Sequence, residues 1–166
     1  MPTEGTKLTG HSRNDELRTP DYIYDWLNRR FAFNFDAAAS HENRRCWEYA
    51  TVEGKFEADG SGYWLTGTED GLTCLWEDYR VFVNPPYSRG LLEAFVDKAI
   101  EERDNAEIIV MLVKVDTSTR WWRKLAEASH IEFLRRVRYL DETGKPLPAA
   151  TFASAIAIIR PSEPKP

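Results

Sequence analysis

The chain alternates between stretches whose apolar residues recur at helical spacing and stretches that are apolar at every position or every second one. In TPDYIYDWLNRRF, residues 19–31, Ile23, Trp26 and Leu27 fall on one helical face. Thr19 there predicts the N-cap, Pro20 the first helical position, and Asp21 a charge suited to the positive end of the helix dipole. FAFNFDAAAS, residues 31–40, alternates Phe31, Phe33 and Phe35 and predicts a strand running into small residues. Residues 46–75 are Gly-rich and mixed, an irregular stretch with room for a short strand or two. RVFVNPP, residues 80–86, predicts a strand. GLLEAFVDKAIEER, residues 90–103, predicts an amphipathic helix with Leu91, Leu92, Phe95, Val96, Ala99 and Ile100 on one stripe. AEIIVMLVKV, residues 106–115, is apolar almost throughout, as a strand covered on both faces must be. TRWWRKLAEAS predicts a helix over 119–129. HIEFLRRVRYL (130–140) and TFASAIAIIR (151–160) predict two strands separated by the turn DETGKP.

Strands alternating with helices define an α/β protein with an open, mostly parallel, Rossmann-like sheet, closed by an antiparallel terminal hairpin. The length of 166 residues suits one domain. Residues 1–16 are polar and aperiodic and predict a loose arm; 161–166, PSEPKP, predict a loose tail; residues 17–160 form the domain. In open α/β sheets ligands sit outside the carboxyl ends of the strands. Two predicted strands end in unusual chemistry there, FDAAAS and VNPPY.

Composition narrows the class. Apolar residues make up 42% and aromatics 13%, enough for a core, and no apolar run is long enough to cross a bilayer. The amino-terminal residues lack the apolar centre of a secretion signal. Cys46 and Cys74 are far apart and outside any CxxC arrangement, which reads as free thiols in a reducing compartment, with no metal site. His41 and His130 have no ligand spacing and read as structural or exposed. The net charge of −5 disfavours a generic nucleic-acid coat protein. Arg29/Arg30, Arg44/Arg45, Arg123/Lys124 and Arg135/Arg136 with Arg138 leave room for a local basic face, or for plain solvated surface.

The NPPY run, Asn84 to Tyr87, carries the most chemistry. A residue before proline is pushed into extended backbone, so Asn84 and Pro85 are both held stiff. Neither proline has an N–H. The Pro85 carbonyl and the Asn84 side-chain oxygen are two acceptors, and Tyr87 adds a flat ring. Two convergent acceptors beside an aromatic suit a planar ring bearing an NH2 group. Accepting both of its hydrogens favours the more tetrahedral, positively charged nitrogen that develops during attack. Stacking is worth about 1–3 kcal/mol per base, enough to help hold a base taken out of its helix. A simple strand-ending turn is the alternative reading of NPPYS.

With its context, the motif resembles that of amino-methyltransferases. From about Arg18 to Arg160 the chain resembles the phage-type DNA N-6-adenine-methyltransferase (Dam) family. The matching segments are Thr19–Pro20, FDAAAS (35–40), EDGLTCLW (69–76), VFVNPPYS (81–88), VDTSTRWW (115–122) and the closing TFASAIAII. The resemblance implies S-adenosyl-L-methionine as methyl donor, S-adenosylhomocysteine as product, no metal, and double-stranded DNA as partner. Transfer to adenine N6 would follow base flipping by in-line displacement. It further implies Asn84, Pro85, Pro86 and Tyr87 as the catalytic loop. Asp36, Ala37 and Ala38 would form the cofactor loop, Thr19 and Pro20 a segment closing over the cofactor, and Asp70 and Leu72 an element meeting its adenine. Arg89 and Arg120 are expected phosphate contacts, and Asp116 with Trp121–Trp122 is expected near the target pocket. No separate recognition domain fits, which leaves the segment 53–71 and the loop after Val115 to choose the sequence. The expected location is a bacterial cytoplasm, that of the host if phage-encoded, with no membrane association. Methylation of cytosine N4 or of a protein glutamine remains an alternative, as does an inert DNA-binding module on the same fold.

Overall fold

The computed structural model describes residues 17–52, 70–88 and 90–163. Three helices and six strands alternate in the order α1 (Asp21–Phe31), β1 (Phe35–Ala39), β2 (Glu48–Thr51), β3 (Arg80–Val83), α2 (Leu91–Glu101), β4 (Ile108–Lys114), α3 (Arg120–Ala128), β5 (His130–Leu134) and β6 (Ser154–Ile159). The strands form one sheet in the order β2-β1-β3-β4-β6-β5. Strands β2, β1, β3 and β4 pair in parallel, and β6 runs antiparallel to both β4 and β5. The expected mostly parallel, Rossmann-like sheet with a terminal hairpin is therefore present. The last strand does not extend the edge. It inserts between β4 and β5, because its run of six buried residues needs cover on both faces.

Period-two side-chain alternation builds a three-layer sandwich. Ile109, Met111 and Val113 of β4 face one cluster with Leu92, Phe95 and Val96 of α2 and Trp121, Trp122 and Leu125 of α3. Ile108, Val110 and Leu112 face the other, with Ile23, Tyr24, Leu27 and Phe31 of α1. At roughly 1.5–3 kcal/mol per large apolar side chain, these two faces supply most of the drive to fold.

Two expectations about element ends are corrected. Thr19 is not the N-cap of α1. Pro20 takes that position at ψ 147°, with no side-chain cap, and its carbonyl accepts from the N–H groups of Ile23 and Tyr24. An extended ψ and a carbonyl that starts the helix are what the cap position requires, and Pro20 supplies both. The Phe31/Phe33/Phe35 alternation is likewise not one strand. Phe31 ends α1, and Ala32 closes it at φ 49° with its N–H on the Asn28 carbonyl at 2.8 Å. Phe33 serves as an aromatic wedge, with ring centroids 5.9 Å from Phe31 and Tyr24 and 5.4 Å from Phe82. Only from Phe35 onward does the chain join the sheet.

Strand β1 has β2 on one side and β3 on the other. The point where strand order reverses is therefore between β1 and β3. In open α/β sheets the ligand crevice lies outside the carboxyl ends of the strands at such a reversal. FDAAA forms β1 and NPPY follows β3, so the two segments marked out by their chemistry flank that crevice.

Candidate active site

Register fixes the neighbours at the crevice: Phe35 lies opposite Val81 and Asp36 opposite Phe82. One residue beyond β3, Asn84 is half-buried, Pro85 buried, Pro86 half-buried and Tyr87 buried. The Asn84 amide Nδ2 donates to the Leu17 carbonyl at 2.9 Å. A carbonyl only accepts, so this bond fixes which end of the amide is which. One hydrogen of the NH2 is committed and the amide is thereby oriented, and among the described residues Oδ1 receives no hydrogen bond. The Leu17 carbonyl is itself held in place. The next residue, Arg18, donates its N–H to the Leu140 carbonyl at 2.9 Å and accepts from the Leu140 N–H at 3.0 Å.

Tyr87 is only 7% exposed. Its hydroxyl lies 3.1 Å from the Tyr139 hydroxyl and donates to the Leu112 carbonyl at 3.4 Å. Its ring stands edge-on to Tyr139 and Phe152, at 6.4 and 5.8 Å between centroids. Burial, with the Tyr139 hydroxyl second, pushes its pKa well above the ordinary tyrosine value, so it is neutral. As the open stacking platform expected from the sequence, Tyr87 is not on offer in this conformation. The ring is an anchor for the loop.

The end of β1 is built of small residues, Ala37, Ala38 and Ala39, with a register shift against β2 between Asp36 and Ala39. Asp36 is 3% exposed. Its Oδ2 accepts from the backbone N–H of Arg45 at 2.9 Å and its Oδ1 from that of Ala38 at 3.4 Å. Desolvation pushes its carboxyl up to about 6, against the pull of those two N–H groups and the Arg45 charge. The Arg45 guanidinium does not pair with Asp36. It bonds the Thr19 carbonyl and the Asp21 carboxylate, the latter at 2.6 Å. Thr19 and Pro20, both buried, are thereby tied to the β1 turn through Arg45.

Asp70 and Leu72 reach the same place from the other side. Asp70 bridges to Thr51 at the end of β2, and its Oδ1 accepts from the Leu72 N–H at 2.9 Å. Between them, Gly71 donates to the Thr51 carbonyl at 2.9 Å, and a Cβ on Gly71 would lie 1.9 Å from the Ala37 carbonyl oxygen. The Trp76 indole N–H closes the turn on the Gly71 carbonyl at 3.1 Å. Trp76 is held in turn by Glu102, whose buried carboxylate accepts from the Trp76 N–H and from Lys98.

The residues expected to meet DNA fare differently. Arg120 is 80% exposed but bonds Glu93 Oε1 through Nε and Nη2 at 3.1 and 3.0 Å. Asp116 accepts from the Ser118 hydroxyl at 2.7 Å and so closes its own turn after β4. Trp121 and Trp122 pack edge to face, 5.9 Å apart, in the core. Arg89 and most of the segment 53–71 lie outside the described residues. His41 bonds Tyr49 and Arg44, a structural use, and His130 is exposed. Cys46 and Cys74 are buried and form no disulfide, and burial pushes the Cys46 thiol up to about 12. Among the described residues no three His, Cys, Asp or Glu side chains could hold a metal, and no helix is long and apolar enough to cross a membrane.

The structure thus gathers Thr19, Pro20, Asp36–Ala38, Asp70, Leu72 and Asn84–Tyr87 around one crevice of a Rossmann-like sheet. Four residues that sequence reasoning passed over hold it together: Leu17 through its carbonyl, Arg45, Gly71 and Tyr139. Each acts on a partner distant in sequence, where no local pattern points.

The chain belongs to the DNA N-6-adenine-methyltransferase (Dam) family, whose model matches residues 6–165. It is 32% identical over 127 residues to the DNA N-6-adenine-methyltransferase of Escherichia phage T1, covering 71% of this chain but only 45% of that protein. It is 26% identical over 163 residues to the DNA N-6-adenine-methyltransferase of Haemophilus phage HP1, covering 94% of this chain and 84% of that one. The match therefore spans under half the length of the phage T1 relative. Among solved structures, a putative methyltransferase, yhhF, from Escherichia coli is similar over 87% of this chain and 88% of that one, at 14% identity and a TM-score of 0.45.

Proposed function

We propose that this chain methylates the N6 amino group of adenine in double-stranded DNA, with S-adenosyl-L-methionine as methyl donor. The observation that carries the reading is the state of Asn84. One hydrogen of its NH2 goes to the Leu17 carbonyl, and its oxygen is left as an acceptor at the end of β3, one residue before Pro85. Membership of a family described by this activity supports the same substrate.

The residues present fit the proposed cofactor. Ala38, half-buried at the end of β1, has a small side chain that allows close approach, and Asp70 and Leu72 offer a carboxylate and an apolar edge beside it. S-adenosylmethionine, when bound, supplies an electrophilic methyl carbon on a sulfonium. The chain's own work is positioning and electrostatics. Asn84 Oδ1 and the Pro85 carbonyl accept the two hydrogens of the exocyclic amine and orient its lone pair out of the ring plane. As positive charge grows on that nitrogen, both acceptors hold it more tightly than in the ground state. The prolines leave the loop nothing to rearrange during the reaction. The cost of flipping the base, a few kcal/mol, falls to contacts lining the crevice.

Tritiated-methyl transfer to DNA and to protein substrates tests the reading, with Asn84→Ala alongside. Label on N6 of adenine in DNA is expected. Turnover in Asn84→Ala should fall by about 10²–10³, as when a preorganised polar group facing developing charge is removed, with cofactor affinity by calorimetry little changed. Label in protein alone, or full turnover in the variant, would refute it.

A further inference from the structure

We infer that Arg135, Arg136 and Arg138 form the phosphate-binding edge that seats duplex DNA against the NPPY loop. This deepens the methyltransferase reading and rests on it for the partner. The inference starts from where the segment lies. Strand β5 is parallel to β4, and its last residue, Leu134, pairs with Ser154, as does Lys114 at the end of β4. Residues 135–140 therefore emerge at the carboxyl edge of the sheet, the edge that carries Asn84 to Tyr87.

The segment is fixed to that loop at two points. The Tyr139 hydroxyl meets Tyr87 at 3.1 Å and Ser154 at 2.9 Å. Leu140 pairs with Arg18, whose neighbour Leu17 holds the Asn84 amide. On its other side the backbone is laced to residues 147–150: Leu147 donates to the Tyr139 carbonyl at 2.8 Å and Ala150 to that of Val137 at 2.9 Å. Val137 and Tyr139 point into the core, and Arg135, Arg136 and Arg138 are exposed. In an extended segment at about 3.3 Å per residue, Arg135 and Arg138 begin about 10 Å apart.

Among the described residues Arg18, Arg30, Arg45, Arg80 and Arg120 each have a carboxylate partner. Arg135, Arg136 and Arg138 have none; the single bond they make is from Arg136 Nη1 to the Ala150 carbonyl at 3.5 Å. Arg29, Arg44, Arg103, Arg123 and Arg160 also lack a carboxylate partner among the described residues, so what marks these three is that they are unpaired and lie within four consecutive positions at the carboxyl edge. Of the acidic groups nearest in sequence, Glu132 and Asp141 are engaged elsewhere, and Glu142 makes no ion pair with any of the three. Glu132 is taken by Arg30 at 2.7 and 2.8 Å, and Asp141 accepts from Thr143 and Lys145 in its own turn. In a chain of net charge −5, three clustered cations without counter-ions, on a rigid ledge beside the proposed catalytic loop, await an anion of repeating charge. Duplex DNA supplies it, and released counter-ions supply the free energy. Arg120, committed to Glu93, is displaced from this role.

The test measures binding of a fluorescein-labelled random-sequence duplex across a salt series. It compares wild type, the Arg135→Gln/Arg136→Gln/Arg138→Gln variant, and a control of equal charge, Arg29→Gln/Arg103→Gln/Arg160→Gln, altered at the opposite edge of the sheet. The ledge variant should lose affinity by roughly tenfold per arginine replaced at low salt. Its log K against log salt slope should be shallower by about 0.9 for each phosphate no longer neutralised. The control should keep the wild-type slope. Equal slopes in wild type and ledge variant, equal losses in ledge and control variants, or no duplex binding by wild type would each overturn the inference. Adenine methylation is scored separately in wild type. Duplex binding with a ledge-dependent slope but no methyl transfer would sink the enzymatic reading and leave the ledge standing.

Discussion

At the scale of single residues, the site runs on groups whose polarity is committed in a defined direction. Asn84 gives one hydrogen of its NH2 to Leu17, which fixes the amide's orientation and leaves its oxygen to accept. The Tyr87 hydroxyl donates to the Leu112 carbonyl and meets the Tyr139 hydroxyl, so both of its polar contacts lie within the fold. Asp36 differs, since its two oxygens meet only backbone N–H groups and no cation faces them directly. Its carboxyl therefore rises from 3.8 to about 6, with desolvation the chief cause. A folded-state value above the unfolded one means that the native state holds the proton more tightly. The stability Asp36 contributes is full below pH 3.8 and is lost as pH rises toward about 6. The span is worth about 3 kcal/mol. Urea unfolding of wild type and Asp36→Asn at pH 4, 5, 6 and 7 should show the wild-type advantage shrinking through this window and level above it. A difference that stays constant with pH would mean that Asp36 is not ionising in a buried site.

At the scale of elements, the crevice depends on how closely the turn after Asp70 approaches the end of β1. The Ala37 carbonyl occupies the space a Gly71 side chain would need. Gly71→Ala must push the two backbones apart and loosen the Trp76 indole bond to the Gly71 carbonyl. A loss of about 3 kcal/mol or more is expected, at the upper end of overpacking costs. Chemical denaturation measures the loss, and calorimetry should report weakened cofactor binding with it. Stability within error of wild type would show that the approach is not obligatory. Legibility in the sequence also divides at this scale. The β3–NPPY junction, the buried β4 run and the two-faced β6 are plain there, because local periodicity and two prolines dictate them. The start of α1 and the extent of β1 differ from the pattern by one to four residues, because Pro20 and Ala32 each serve a cap that pattern alone assigns elsewhere. Gly71 is hidden for another reason. It sits in a glycine-rich stretch, and its constraint comes from Ala37, a residue with no chemical signature.

At the scale of the whole molecule, the proposed catalytic corner is clamped by segments from both ends of the chain. Leu17 reaches Asn84 across 67 residues of sequence, and Tyr139 reaches Tyr87 across 52. The two clamps are joined to each other by the Arg18–Leu140 pairing. The sheet alone would deliver NPPY to the crevice, but nothing in it would orient the Asn84 amide. That depends on a carbonyl whose position is set by an antiparallel bridge outside the sheet. Breaking the bridge should therefore uncouple orientation from folding. Arg18→Pro removes the N–H given to the Leu140 carbonyl. One hydrogen bond removed costs about 1 kcal/mol, which lowers Tm by about 2–4 °C in a chain of this size. Turnover should suffer far more, on the order of 10²-fold, because small misplacements at a reacting centre are that costly. Cofactor affinity should hold, since Ala37, Ala38, Asp70 and Leu72 keep their own supports. Steady-state kinetics beside a melting curve separates the two effects. A lowered Tm with wild-type turnover would leave the bridge a structural contact and return the control of Asn84 to the strand that precedes it.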